Sequence, residues 1–166
     1  MRLETKRLFL REMDEGDYAP LYAVLADPDN MRYYPYAFDE ARVRRWIEVN
    51  RQRCRIFGFG LWAVCLKDSG EMIGDCGLTM QTIDGLIRPE IGYHIRADRQ
   101  RRGYAKEAAA AVRDWAFANT PFRVLYAYMQ ADNRPSAATA EAIGMHRDGE
   151  YVNEEGEHIL VYVVER

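Results

Sequence analysis

The segment TKRLFLREM, residues 5 to 13, alternates apolar and polar side chains, the signature of a half-buried strand. Asp14 follows it with a short side chain suited to capping, and EGDYAPLYAVLAD reads as the helix that it opens. PDNMRYYPYAF, with two prolines and four aromatic residues, reads as a loop. Asp39 is placed to cap a second helix, where Val43, Trp46, Ile47 and Cys54 recur near helical spacing and form an apolar stripe. The period then changes. FGLWAVCLK and EMIGDCGLTMQTI flank the turn DSG and predict a hairpin; after the connection DGLIRP, EIGYHIRA predicts a further strand. A helix is expected from about Gly103 to Ala118. Its Ala105, Ala108, Ala109, Val112, Trp115 and Ala116 share one face, mostly small residues that allow close packing on a sheet. FRVLYAYMQ predicts a strand, NRPSAATAEAIG opens a short helix, and MHRDGEYV and EHILVYVVER close the chain as strands joined by NEEG.

The order β-α-α-β-β-β-α-β-α-β-β intersperses helices along a largely antiparallel sheet, which is the α+β or mixed α/β class. No repeat, low-complexity tract or linker interrupts the 166 residues, so one domain spanning 1–166 is expected. A composition of 48% hydrophobic and 30% charged residues fits a soluble globular chain. The net charge of −3 argues against a general nucleic-acid binder. No apolar run approaches the roughly 20 residues of a membrane span, and the first residues lack a secretory pattern, so a cytoplasmic location is the expectation. Cys54, Cys65 and Cys76 form no CxxC pair and read as reduced thiols. His94, His146 and His158 are too scattered for a metal-ligand spacing, and no metal is expected.

One stretch does not fit this pattern. RQRRGYAKEAAAAV, Arg99 to Val112, crowds arginines around Gly103 where a helix begins. A helix start leaves four N–H groups without intrahelical partners and carries partial positive charge, so it suits a phosphate. Gly103 lets backbone approach a ligand, and Arg99, Arg101 and Arg102 add charge. This reads as a diphosphate cradle between strand and helix; the competing reading is a set of solvated arginines. Neither GxxxxGK[ST] nor GxGxxG is present.

QRRGYA, Gln100 to Ala105, resembles the Q/R-x-x-G-x-G/A signature of the GNAT N-acetyltransferases, and it lies between a strand and a helix as that motif requires. NRPSAATAEAIGM resembles the second motif of the family, while TKRLFLREMDEGD and LWAVCLKDSGEMIGDCGL resemble its RimJ/RimL-type branch. The resemblance covers nearly the whole chain. It implies a GNAT fold: a central, mostly antiparallel twisted sheet of about seven strands, splayed at the cofactor site and flanked by about four helices. It implies acetyl-CoA as co-substrate, with the amides of Arg101, Arg102, Gly103, Tyr104, Ala105 and Lys106 on the pyrophosphate. Ile95 and Ala97 would lie along the pantetheine arm, where the strand splays from the next at a bulge, and Asn133 would contact the cofactor. A backbone N–H near Ile95 would serve as oxyanion donor.

Acyl transfer to an amine needs a neutral nitrogen. Neutralising a lysine (pKa about 10.4) at pH 7 costs roughly 4–5 kcal/mol, an α-amino group (pKa about 8) only about 1–1.5. A base is useful for either. The resemblance points to Glu90, on the strand before the signature; pairing with an arginine is the competing role. His94 has a suitable pKa, with a facing away from the acceptor set against it, and Glu154 and Glu155 on the last hairpin are rivals. The family's proton-donating tyrosine is replaced by Ala140, and Ser136 matches a serine proposed for that role in the RimL branch. MRYYPYAF and the second helix would line the acceptor side, and the six arginines of ARVRRWIEVNRQRCR read as a solvated face or an attractor of acidic protein surface. The expected acceptor is a protein N-terminus or another amine. The alternatives are a small-molecule amine (polyamine, amino acid or amino sugar) and a non-catalytic acyl-CoA-binding module. No nucleic acid or membrane partner is expected, and the protein would be a monomer or homodimer.

Overall fold

The computed structural model describes residues 2–166. Where one opening strand was expected, the chain makes two, β1 (Arg2–Glu4) and β2 (Leu8–Arg11). Thr5 is the reason. Its N–H donates to the Leu8 carbonyl at 2.9 Å and its hydroxyl oxygen accepts from the Leu8 N–H at 3.0 Å, so the backbone folds back on itself. Asp14 then accepts from the Gly16 N–H, and a single 3-10 turn leads into α1 (Tyr18–Leu25). Asp39 caps α2 (Glu40–Phe57) by accepting from the Arg42 N–H.

The hairpin across DSG pairs β3 (Leu61–Leu66) with β4 (Met72–Ile83). A second hairpin joins β4 to β5 (Leu86–Ile95), so DGLIRP is mostly strand rather than connection. Asp84 and Gly85 alone make the turn, both with positive φ (50° and 71°), as a tight two-residue hairpin requires. Pro89 is tolerated inside β5 for a definite reason. The Arg96 N–H donates to the Ile73 carbonyl, which by alternation puts the backbone groups of even-numbered β5 residues into the β4 ladder. Pro89 is odd, so its missing N–H breaks no bond there.

Then come α3 (Tyr104–Asn119), β6 (Val124–Gln130), α4 (Arg134–Ala142), β7 (His146–Val152) and β8 (His158–Glu165). The eight strands form one sheet in the order β1-β2-β3-β4-β5-β6-β8-β7. Every neighbouring pair is antiparallel except β5 and β6, which α3 connects as a crossover. On one face Trp62, Val64, Ile73, Cys76, Leu78 and Ile91 pack against the small-residue face of α3, where Ala108, Ala109, Val112 and Ala116 are buried. Trp115 meets Trp62 edge-on, ring centroids 4.9 Å apart. On the other face Leu61, Ala63, Cys65 and Met72 pack under α1 and under Val43 and Ile47 of α2. Cys54, assigned to that stripe by its spacing, packs with the α3 cluster instead. All three cysteines are free thiols.

The ladder between β5 and β6 is confined to Glu90 and Tyr126. Beyond that point β6 stays paired along its length with β8, and β5 with β4, so the sheet opens into a gap. No bulge creates this gap. The β4–β5 register runs unbroken from Gly74↔Ile95 to Ile83↔Leu86, contrary to the expected irregularity.

Candidate active site

One wall of the gap ends at the start of α3. Arg101 and Gly103 both adopt left-handed backbone, with φ of 58° and 77°. Gly103 is the N-cap and supplies no side-chain cap, and the first intrahelical bond runs from the Glu107 N–H to the Gly103 carbonyl. The N–H groups of Tyr104, Ala105 and Lys106 therefore have no intrahelical acceptor. A Cβ on Gly103 would meet only the Arg7 guanidinium, at 3.4 Å, so the space above the turn is open.

The arginines divide into two groups. Arg99 and Arg96 both bind Glu71, each at 2.6 Å, and Arg96 also pairs with Asp98 at 2.6 Å. Arg99 is thereby part of the framework under the turn. Among the described residues, neither Arg101 nor Arg102 forms an ion pair. Arg7, which the sequence pattern did not single out, holds the turn from behind. Its guanidinium donates to the Arg102 carbonyl at 2.8 Å and to Glu107 at 2.7 Å, and it lies over the Tyr104 ring. Burial alone would raise the Glu107 carboxyl, but the Thr5 hydroxyl and Arg7 outweigh it and hold it below the usual range.

Along β5 the odd residues Ile91, Tyr93 and Ile95 turn their backbone groups toward β6, by the alternation described above. Past the Glu90–Tyr126 bridge these groups face the gap. The Gln100 side chain donates to the Ile95 carbonyl at 2.9 Å; the Ile95 N–H faces the same way. Ala97 lies just beyond, exposed, in a single 3-10 turn.

The even side chains of β5 point to the α1/α2 face. There Glu90 accepts from the Thr79 hydroxyl at 2.8 Å. Burial pushes its carboxyl up to about 7, against the lowering pull of the Thr79 hydroxyl and the His94 and Arg53 charges. His94 shares this face rather than turning away. Its Nδ1 lies 2.7 Å from Asp75 Oδ1, and its Nε2 lies 2.6 Å from the Tyr34 hydroxyl. Asp75 is wholly buried and takes the Trp46 indole N–H on its other oxygen at 2.8 Å. Burial opposes protonation of His94, but the charge and hydrogen bond of Asp75 win, so its pKa lies above the ordinary histidine value.

Ser136 belongs to the opposite face, in the first turn of α4. The Tyr93 hydroxyl donates to the Ser136 carbonyl at 2.9 Å and lies 3.1 Å from its Oγ. Asn133 caps that helix, its Oδ1 accepting from the Ser136 N–H at 3.2 Å. Ser136 and Glu90 thus flank the gap from two sides without touching each other. Ala140 is fully buried. Glu154 and Glu155 are exposed on the turn between β7 and β8. The α2 arginines are largely engaged locally: Arg44 with Glu40, Arg55 with Glu48, and Arg42 over Tyr36, which fits a solvated face. Asp75 was missed. Its signal is a lone acid among the apolar and glycine residues of MIGDCGL, which implies a buried partner.

The model for the "Acetyltransferase (GNAT) domain" family matches residues 7–146. The uncharacterized protein YkkB of Bacillus subtilis (strain 168) is 37% identical over 146 residues, covering 87% of this chain and 85% of that protein. A crystal structure of an acetyltransferase from Agrobacterium tumefaciens str. C58 superposes with a TM-score of 0.86 at 30% identity, covering 100% of this chain and 95% of that one. RimL, a ribosomal α-N-protein acetyltransferase solved in complex with coenzyme A, shares the fold with a TM-score of 0.82 at 18% identity, covering 99% and 98% of the two chains.

Proposed function

The chain belongs to the GNAT family of acetyltransferases, and from that premise we propose that it moves an acetyl group from acetyl-CoA to the α-amino group of a protein N-terminus, by direct attack in a ternary complex. The observation that carries this reading is the Glu90 carboxyl, half-buried at the fork of β5 and β6 and raised to about 7. Proton transfer from an α-ammonium near pKa 8 to such a group is uphill by about 1.4 kcal/mol, but from a lysine near 10.4 by about 4.6 kcal/mol. The difference of about 3.2 kcal/mol comes from the amines themselves and favours the α-amino group with Glu90 as base. The likeness to RimL, an α-N-protein acetyltransferase, agrees with this at the level of fold.

The residues at the gap fit an acyl-CoA. The uncapped amides of Tyr104, Ala105 and Lys106, with the left-handed turn from Arg101 to Gly103, present N–H groups to a diphosphate, and the free Arg101 and Arg102 side chains add charge. The open edge at Ile95 and the exposed Ala97 offer backbone groups to an amide-bearing arm, and the Asn133 amide N–H₂ remains for a further contact. Glu90 takes a proton from the acceptor ammonium, directly or through water. The nitrogen then bonds the thioester carbon, the C–S bond breaks, and the second proton shed by nitrogen balances protonation of the departing sulfur. The Ile95 N–H is the proposed donor to the oxyanion. Ser136, beside Tyr93, is the proposed proton source for sulfur. A thiol near pKa 8.5 leaves as thiolate at small cost, so this step tolerates the loss of the tyrosine at position 140.

Acetyl-CoA turnover tests the acceptor with three amines: a lysine-free peptide with a free N-terminus, the same peptide N-blocked with one lysine added, and a polyamine. Preferential acetylation of the first is expected; exclusive turnover of the second or third overturns the α-amino assignment.

A further inference from the structure

We propose that Tyr34 binds the acceptor amine through its phenolic oxygen, and that Asp75 and His94 are positioning residues that fix this oxygen as a hydrogen-bond acceptor. The proposal rests on the amine acceptor above and deepens it. The argument begins at Asp75, which is 0% exposed. One of its oxygens accepts from the Trp46 indole, a group that can only donate. The other faces His94 Nδ1 at 2.7 Å, so that nitrogen carries the proton. A neutral His94 ring then has a bare Nε2, and the Tyr34 O–H, 2.6 Å away, donates to it. With its proton so committed, the Tyr34 oxygen presents only lone pairs outward.

That oxygen is placed to meet an acceptor. Tyr34 comes from the loop between α1 and α2, and the residue is 42% exposed while its hydroxyl end is enclosed. It reaches the same face of β5 as Glu90. The same loop crosses the mouth of the gap: the Tyr33 hydroxyl donates to the Asp132 carbonyl at 3.3 Å, and the Gln100 side chain donates to Asn30. Tyr34 therefore stands between solvent and the base, where an entering ammonium must lose water and needs an acceptor oxygen in exchange.

The groups facing His94 are Asp75 on β4, Glu90 on β5, Tyr34 from the loop and Trp46 from α2. Protonating the ring turns Nε2 into a donor to Tyr34 and swings the phenolic O–H outward, where it opposes an N–H. Acceptor binding should weaken as pH falls through the His94 ionisation. Asp75→Asn should do the same at every pH. The Asn oxygen must serve the Trp46 N–H, so its N–H₂ faces Nδ1, the ring takes the Nε2–H tautomer, and Tyr34 again points a donor outward.

The test uses the whole chain and the free-N-terminus peptide. Tyr34→Phe, which removes only a hydroxyl from a partly exposed residue, should raise the acceptor KM by roughly tenfold, with kcat within about threefold and the acetyl-CoA KM unmoved. It should also abolish the rise of acceptor KM at low pH. Imidazole 15N shifts should show the Nδ1–H tautomer in the parent and the Nε2–H tautomer in Asp75→Asn. An unmoved acceptor KM in Tyr34→Phe, or an Nε2–H tautomer in the parent, overturns the proposal. A parent that acetylates no amine removes the proposed function and this inference with it; parent turnover with an unmoved KM removes this inference alone.

Discussion

At the scale of single residues the chemistry turns on charge held out of water. Glu90→Gln keeps size and hydrogen bonding but cannot take a proton. Turnover at neutral pH should fall by roughly 10²–10⁴ while acetyl-CoA affinity, read by calorimetry, stays near the parent value. Raising the pH toward 8 should restore part of the rate for an α-amino acceptor, since solvent then supplies the neutral amine. Parent-like turnover across that range would pass the role to ordered water or another group. Gly103 is a backbone case. At φ +77° a β-branched side chain is strained by at least about 1–2 kcal/mol, so Gly103→Val should reshape the turn and raise the acetyl-CoA Kd by at least about tenfold. Unchanged binding would show that the turn is not the cradle. Gly103 is legible in the sequence because QRRGYA frames it, whereas Glu90 is singled out there only through the family resemblance. Tyr34 lies in the MRYYPYAF segment expected on the acceptor side and Trp46 in an apolar stripe, but only folding brings them to one histidine–aspartate pair.

At the scale of elements the start of α3 depends on a strand far away in sequence. Arg7, just before β2, ties the start of that strand to the Arg102 carbonyl and to Glu107. Arg7→Ala should weaken acetyl-CoA binding although Arg7 lies behind the turn, and the loss should persist at high salt because it comes from lost positioning. Arg101→Ala and Arg102→Ala should each cost only a few-fold, and that loss should shrink as salt screens it. Calorimetry at low and high ionic strength separates the two; equal salt dependence of all three would remove the buttress. The α3 face was readable from its alanine period, and Asp14 and Asp39 from capping chemistry. DGLIRP was not, because exposed apolar residues and a proline imitate a connection. Only the pairing of β5 with β4 on one edge shows that Pro89 disturbs no ladder bond.

At the scale of the whole molecule the raised Glu90, proposed as the base, carries a stability cost. Its folded pKa, about 7, lies above the unfolded value of 4.5, so the folded state holds the proton more tightly between those limits and loses stability as pH rises through them. His94, also raised, likewise adds stability that is full below about 6.5 and lost as pH rises through its folded pKa. Glu90→Gln should therefore gain on the parent as pH rises from about 4.5 to 7, reaching roughly 1–3 kcal/mol at neutral pH. Urea melts of the two proteins at pH 5 and pH 7.5 check this. An equal difference at both pH values would mean that Glu90 is no less comfortable folded than unfolded.

The amino-acid sequence by itself determined the class of fold, the capped helices, the small-residue face of α3 and the glycine turn that opens it at Gly103, because each is written in side chains close together along the chain. The tertiary structure alone decided which arginines are free, since Arg99 is claimed by Glu71, 28 residues earlier in the sequence. It also decided where the sheet opens. Two strands joined by a helix touch at Glu90 and Tyr126 and then part, each keeping its other neighbour. The pairing of Asp75 with His94 and of His94 with Tyr34 belongs to that level too, because a buried charge is tolerated only where the fold supplies its partner.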